Sequence, residues 1–82
     1  MSLLKQWKAA DYEEAERLMT RSILPDVLAE IRAEILEEWR GAETPEKRES
    51  LHAEDRALTR IEEYLRGMVS ELEYARAKDD QD

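Results

Sequence analysis

The stretch LHAEDRALTRIEEYLRGMVSEL, residues 51–72, places Leu51, Leu58, Leu65 and Leu72 seven residues apart. A heptad of large aliphatic residues belongs to a helix that buries one stripe. With the leucines at position a, position d reads Glu54, Ile61, Met68 and Ala75. The three-four alternation is unbroken from Leu58 to Ala75 and fails at Glu54. Ala57 and Tyr64 at g, with Val69 at e, widen the stripe beyond a two-stranded seam, whose flanks are normally charged. A wide stripe belongs to a helix with two or more neighbours. No basic helix precedes the leucines, so a DNA-binding zipper does not fit.

Two prolines and two glycines punctuate the sequence as a whole. Asp11, with Glu14 three residues on, has the spacing of a capping box and predicts a helix start there. Tyr12, Ala15, Leu18 or Met19, and Ile23 then share a face. Ahead of them Leu3, Leu4 and Trp7 form a short turn or a separate helix. Pro25 suits a first helical position, where its missing N–H costs nothing. Leu28, Ile31, Ile35 and Trp39 follow at helical spacing, with Leu24, Val27 and Leu36 alongside, and Gly41 marks the stop after Arg40. Thr44-Pro45-Glu46 is a restart signal: a capping hydroxyl, a proline at N1 and an acid in the first turn. The last helix is expected from about Pro45 to Ala77, roughly 50 Å at 1.5 Å per residue. Gly67 inside it marks a close helix approach or a bend.

The fold class these signals predict is all-α. A hairpin with a long C-terminal helix, plus one or two short N-terminal helices, makes a small bundle. Residues 1–78 form a single helical domain and residues 79–82 a frayed acidic tail. The GAET connection is short enough to make the last two helices antiparallel neighbours. A chain of 82 residues buries only about 60–65% of its unfolded surface. Small domains of this kind usually add disulfides, a metal or a second subunit. With no cysteine, a homo-oligomer is the expected remedy. Leu58, Ile61, Tyr64, Leu65, Met68, Val69 and Leu72 are the expected oligomer or partner interface.

The net charge of −8 opposes nucleic-acid phosphates and anionic membranes. No apolar run approaches the roughly 18 residues of a membrane span. The opening MSLLKQWK carries too short an apolar core for a signal peptide. Direct nucleic-acid binding and membrane insertion are therefore not expected, and the expected location is cytoplasmic.

Candidate chemistry is sparse. Glu49-x-x-His52 has the spacing used by di-iron helical bundles. But His52 is the only histidine, and the pair falls at f and b, away from the apolar stripe. Glu13/Glu14, Glu37/Glu38 and Glu62/Glu63 read as solvated faces. Ser2, Ser22, Ser50 and Ser70 lack any histidine–acid arrangement that would activate a nucleophile. No catalytic, cofactor-binding or metal-binding residue is expected, and no enzyme activity. Glu30, Glu34 and Glu38, about 6 Å apart along one helix, form a candidate acidic partner-binding face. Charges at that spacing would suit an inhibitor that imitates a nucleic-acid backbone or blocks a host defence protein.

The stretches AERLM…ILPDVLAEIRAEILEEW and TPEKRESLHAEDRALTRIEEYLRGMVSELEYA resemble a loose class of small helical proteins of tailed bacteriophages and prophages. The likeness covers about 65 residues. It includes a Pro-started helix ending at Trp39, a short linker, and the Arg48–Leu51 entry into a long final helix. Such proteins are encoded among head-assembly genes. The resemblance implies a phage or host protein as partner, a role as an accessory of virion assembly, and a place in the host cytoplasm or with the virion.

Overall fold

A computed structural model describes residues 6–80. Three helices follow in order: α1 (Ala9–Thr20), α2 (Leu24–Arg40) and α3 (Pro45–Asp80), and no strand occurs among the described residues. The all-α hairpin with a long last helix is therefore observed. Ser2, Leu3, Leu4, Gln81 and Asp82 lie outside the described residues.

Helix α1 starts earlier than Asp11. Lys8 is extended, and the Asp11 carboxylate, three positions in, accepts the Lys8 N–H at 2.9 Å. Ala9 and Ala10, residues of the highest helix propensity, extend the helix back past the expected cap. Ser22 joins α1 to α2, donating its hydroxyl to Leu18 O and accepting the Leu24 N–H at 3.0 Å. Pro25 lies in the first turn of α2, as expected. Gly41 follows Arg40, and its N–H reaches Glu37 O, with φ in the right-handed region. Its presence therefore reflects no left-handed cap. Thr44 Oγ1 accepts the Lys47 N–H at 3.1 Å and starts α3 at Pro45. Helix α3 has 36 residues, about 54 Å, and continues to Asp80, past the expected stop at Ala77. A Cβ at Gly67 would meet nothing within 4 Å, so no close approach inside the chain requires that glycine.

Helix α2 lies antiparallel on the N-terminal half of α3. Ile35, Ala42 and Leu51 form the buried cluster, with Ile31 and Leu58 packed against it. Arg48 donates to Ala42 O at 3.2 Å and so covers the open carbonyl of the linker. Helix α1 lies on the other half and runs parallel to α3: Trp7 meets Tyr64, and Glu16 meets Arg76. Each half of α3 thus has one covering helix. The outline is long and flat, 59 × 34 × 18 Å, with a radius of gyration of 16.9 Å. A compact chain of this length would have about 12 Å.

The inward face of α3 differs from the a/d heptad. Leu51, Asp55, Leu58, Glu62, Leu65, Val69 and Leu72 are all buried or half-buried, whereas Glu54, Ile61 and Ala75 at d are exposed. The inward seam is a/e, and Met68 is the one d residue that is buried. The reason is electrostatic. Glu62 at e, expected on a solvated face, is only 8% exposed, because α2 brings Arg32 across to neutralise it.

Candidate interaction surface

The seam between α2 and α3 is closed by a polar clamp. The Arg32 guanidinium pairs with Glu62 Oε1, donates to Thr59 Oγ1 at 2.9 Å, and reaches Asp55 Oδ1 at 3.4 Å. Arg66 donates to Glu62 Oε2 at 3.1 Å from one turn further along. A carboxylate withdrawn from water needs such partners, since its desolvation is costly. The donors come from two helices, so the clamp fixes how far α2 slides along α3. Sequence reasoning missed Glu62 because it judged charge by composition. The signal to be had was position: Glu62 lies four residues after Leu58 and three before Leu65, on their own face.

A second polar lock holds α1. Arg76 donates to both Glu16 oxygens, at 2.7 and 3.2 Å, in the bidentate geometry favoured by guanidinium and carboxylate. Those hydrogen bonds hold the Glu16 carboxyl below its ordinary value and raise Arg76. Trp7 Nε1 donates to Tyr64 Oη at 3.1 Å, and the two rings meet edge to face at 6.2 Å. The Tyr12 hydroxyl, hydrogen-bonded to Glu71, titrates above the usual tyrosine value.

The pH dependence follows from Glu16. A carboxyl whose pKa is lowered by folding contributes its full stabilisation above the unfolded value, about 4.3, and loses it as pH falls through the folded value. Acid titration in a Trp39→Phe background should therefore release Trp7 from Tyr64, read by fluorescence, only below the ordinary carboxylate range. In Glu16→Gln that component should vanish. An unchanged titration in Glu16→Gln would remove Glu16 from the lock.

The residues expected to form an interface are divided by the structure. Met68 is buried, lining a crevice with Trp7 and Tyr12. Leu58, Leu65, Val69 and Leu72 are half-buried along the chain's own seams. Ile61 and Tyr64 stay 49% and 44% exposed. Ile23, Val27, Leu36, Trp39 and Tyr74 join them as large exposed apolar or aromatic side chains. The chain exposes 6962 Å² in all, against about 5,100 Å² for a compact monomer of its mass.

The acidic residues Glu30, Glu34 and Glu38 are all exposed on α2. Glu34 and Glu38, with Glu54 of α3, rim a shallow groove floored by Ile31, Ile35, Ala57 and Leu58. Lys47 approaches Glu38 at 3.9 Å, so this rim is not purely acidic. Glu49 and His52 are both exposed. Among the described residues no three His, Cys, Asp or Glu side chains are grouped to hold a metal ion. No described helix is long and apolar enough to cross a membrane. Comparison with protein-family models, with curated proteins and with solved structures finds no match for this chain.

Proposed function

We propose that this is a non-enzymatic helical interaction protein, which works by self-association and by binding helices of a partner protein. The observation that carries this reading is the excess surface. The chain exposes about 1,800 Å² more than a compact monomer of its mass, and Ile23, Val27, Leu36, Trp39, Ile61, Tyr64 and Tyr74 are large side chains left exposed. A stable protein–protein interface takes about 800 Å² from each partner, so one association uses part of the excess and leaves room for another. The resemblance to small phage proteins supports a role in virion head assembly, with a phage or host protein as the second partner.

Light scattering over a concentration range tests the reading. The expected mass lies above 9.7 kDa, rises with concentration and falls only modestly with added salt, because apolar contacts are not screened and exposed charge pairs are few. A strict monomer at millimolar concentration would overturn the self-association part. A second reading rests on the convergence of Glu34, Glu38 and Glu54 on one groove. As an acidic inhibitor of a basic host protein, the chain would bind with an affinity that falls steeply with salt. It would lose that binding when Glu30, Glu34 and Glu38 are replaced by glutamine. Salt-independent binding would dismiss this reading.

A further inference from the structure

We propose that two copies associate through one face of α3, antiparallel, about a two-fold axis passing beside Ala57. The proposal rests on the self-association reading and specifies where it occurs.

The face consists of exposed positions of α3 outside the clamp; Glu54 and Ala57 also line the groove shared with α2, and Tyr64 carries Trp7 on one side. Ser50, Ala53, Glu54, Ala57, Arg60, Ile61 and Tyr64 are all exposed. They fall at c, d and g of the heptad, on the side of α3 away from the a/e seam. In an antiparallel pair centred on residue 57, each residue meets the one equally far on the other side. That rule sets Ala53 against Ile61, Ser50 against Tyr64, and Glu54 against Arg60. Every large apolar side chain thereby meets a small one, which is what interdigitated packing requires. Ala57 lies on the axis, where two helices approach most closely, and its side chain is a single methyl.

The charges agree with the same centre. Glu54 and Arg60 form no ion pair among the described residues. They are six positions apart, too far round the helix to reach each other. Their separation is symmetric about 57, so a two-fold axis there pairs each with its opposite in the other copy, twice per dimer. A centre moved to residue 61 or 64 would bring Ile61 or Tyr64 against its own copy and part Glu54 from Arg60. Lys47 falls opposite Gly67, whose missing Cβ leaves open space at that level. This supplies a reason for a mid-helix glycine that costs about 1 kcal/mol against alanine.

The natural chain has no cysteine, so Ala57→Cys gives a single, unambiguous probe. A disulfide needs Cα atoms within about 7 Å, a condition met on the axis and at few other surface positions. Mild oxidation should convert the Ala57→Cys variant to covalent dimer far faster than an Ala29→Cys control on exposed α2. Glu54→Arg and Arg60→Glu should each raise the dimer dissociation constant by about tenfold, by setting like charges together. The double reversal should return it near the original value, which loss of folding would not do. A natural chain that dimerises, with Ala57→Cys cross-linking no faster than Ala29→Cys and no rescue in the double reversal, overturns this face and leaves self-association standing. A natural chain that stays monomeric overturns both.

Discussion

Replacing Arg32 by methionine is expected to destabilise the protein by about 2 kcal/mol, a fall in melting temperature of about 10 °C for a domain of this size. Breaking a buried ion pair commonly costs about 3–5 kcal/mol, because the remaining charge is left in a poor solvent. The cost here is lower for two reasons. The Arg32 side chain is 34% exposed, and Arg66 still reaches Glu62. The decisive comparison is the double variant Arg32→Met, Glu62→Met. Apolar side chains of similar volume often replace a buried pair without loss, so the double variant should be at least as stable as the natural chain. Thermal unfolding followed by circular dichroism measures both. If the single variant is as stable as the natural chain, the clamp contributes nothing. If the double is as unstable as the single, packing matters there and charge does not.

Leu51→Ala is expected to cost about 3 kcal/mol, within the range for a buried leucine truncated to alanine. Leu51 is 1% exposed, the most thoroughly buried large side chain of the described residues. It stands between Ile35 and the linker residue Ala42, where α2, the turn and α3 meet. The surrounding cluster is small, so a cavity there removes a large share of the hydrophobic contacts holding the hairpin. Small domains have little to spare: total stabilities of about 5 kcal/mol are ordinary. Ile61→Ala provides the contrast. Its side chain is half exposed, so by the small usual effect of surface substitutions the same truncation should cost the monomer under about 1 kcal/mol and weaken self-association instead. Urea unfolding separates the two, as a lower midpoint at unchanged slope for Leu51→Ala. Equal midpoints for the two variants would contradict the burial pattern.

The boundaries were legible wherever the chain carries a chemical stop or start. Thr44-Pro45 begins α3 in the structure as in the sequence, since the hydroxyl and the ring act on their own backbone. Pro25 and Gly41 did the same for α2. The start of α1 was misplaced because Asp11 serves equally well as a first cap or as the acid three positions later. Capping chemistry does not distinguish them; the helix propensity of Ala9 and Ala10 does. Exposure along the expected interface was legible only in part. Ile61 and Tyr64 were picked out and are exposed, but Met68 is covered by α1. Its heptad position is the same as that of Ile61, so only the placement of α1 separates them.

By itself the sequence determined that the chain is helical, where α2 and α3 begin, and the antiparallel hairpin, because these follow from periodicity, caps and a short linker. Tertiary structure alone decided which side of α3 faces inward. A stripe wide enough for two neighbours permits an a/d or an a/e seam, and hydrophobicity alone favours a/d, with Ile61, Met68 and Ala75 at d against Glu62, Val69 and Arg76 at e. On the a/e side Arg32 crosses from α2 and offsets the cost of burying Glu62. Once that pair is formed, Ile61 is turned outward, and the leucine heptad of residues 51–72 divides into a face the chain uses and a face it leaves open.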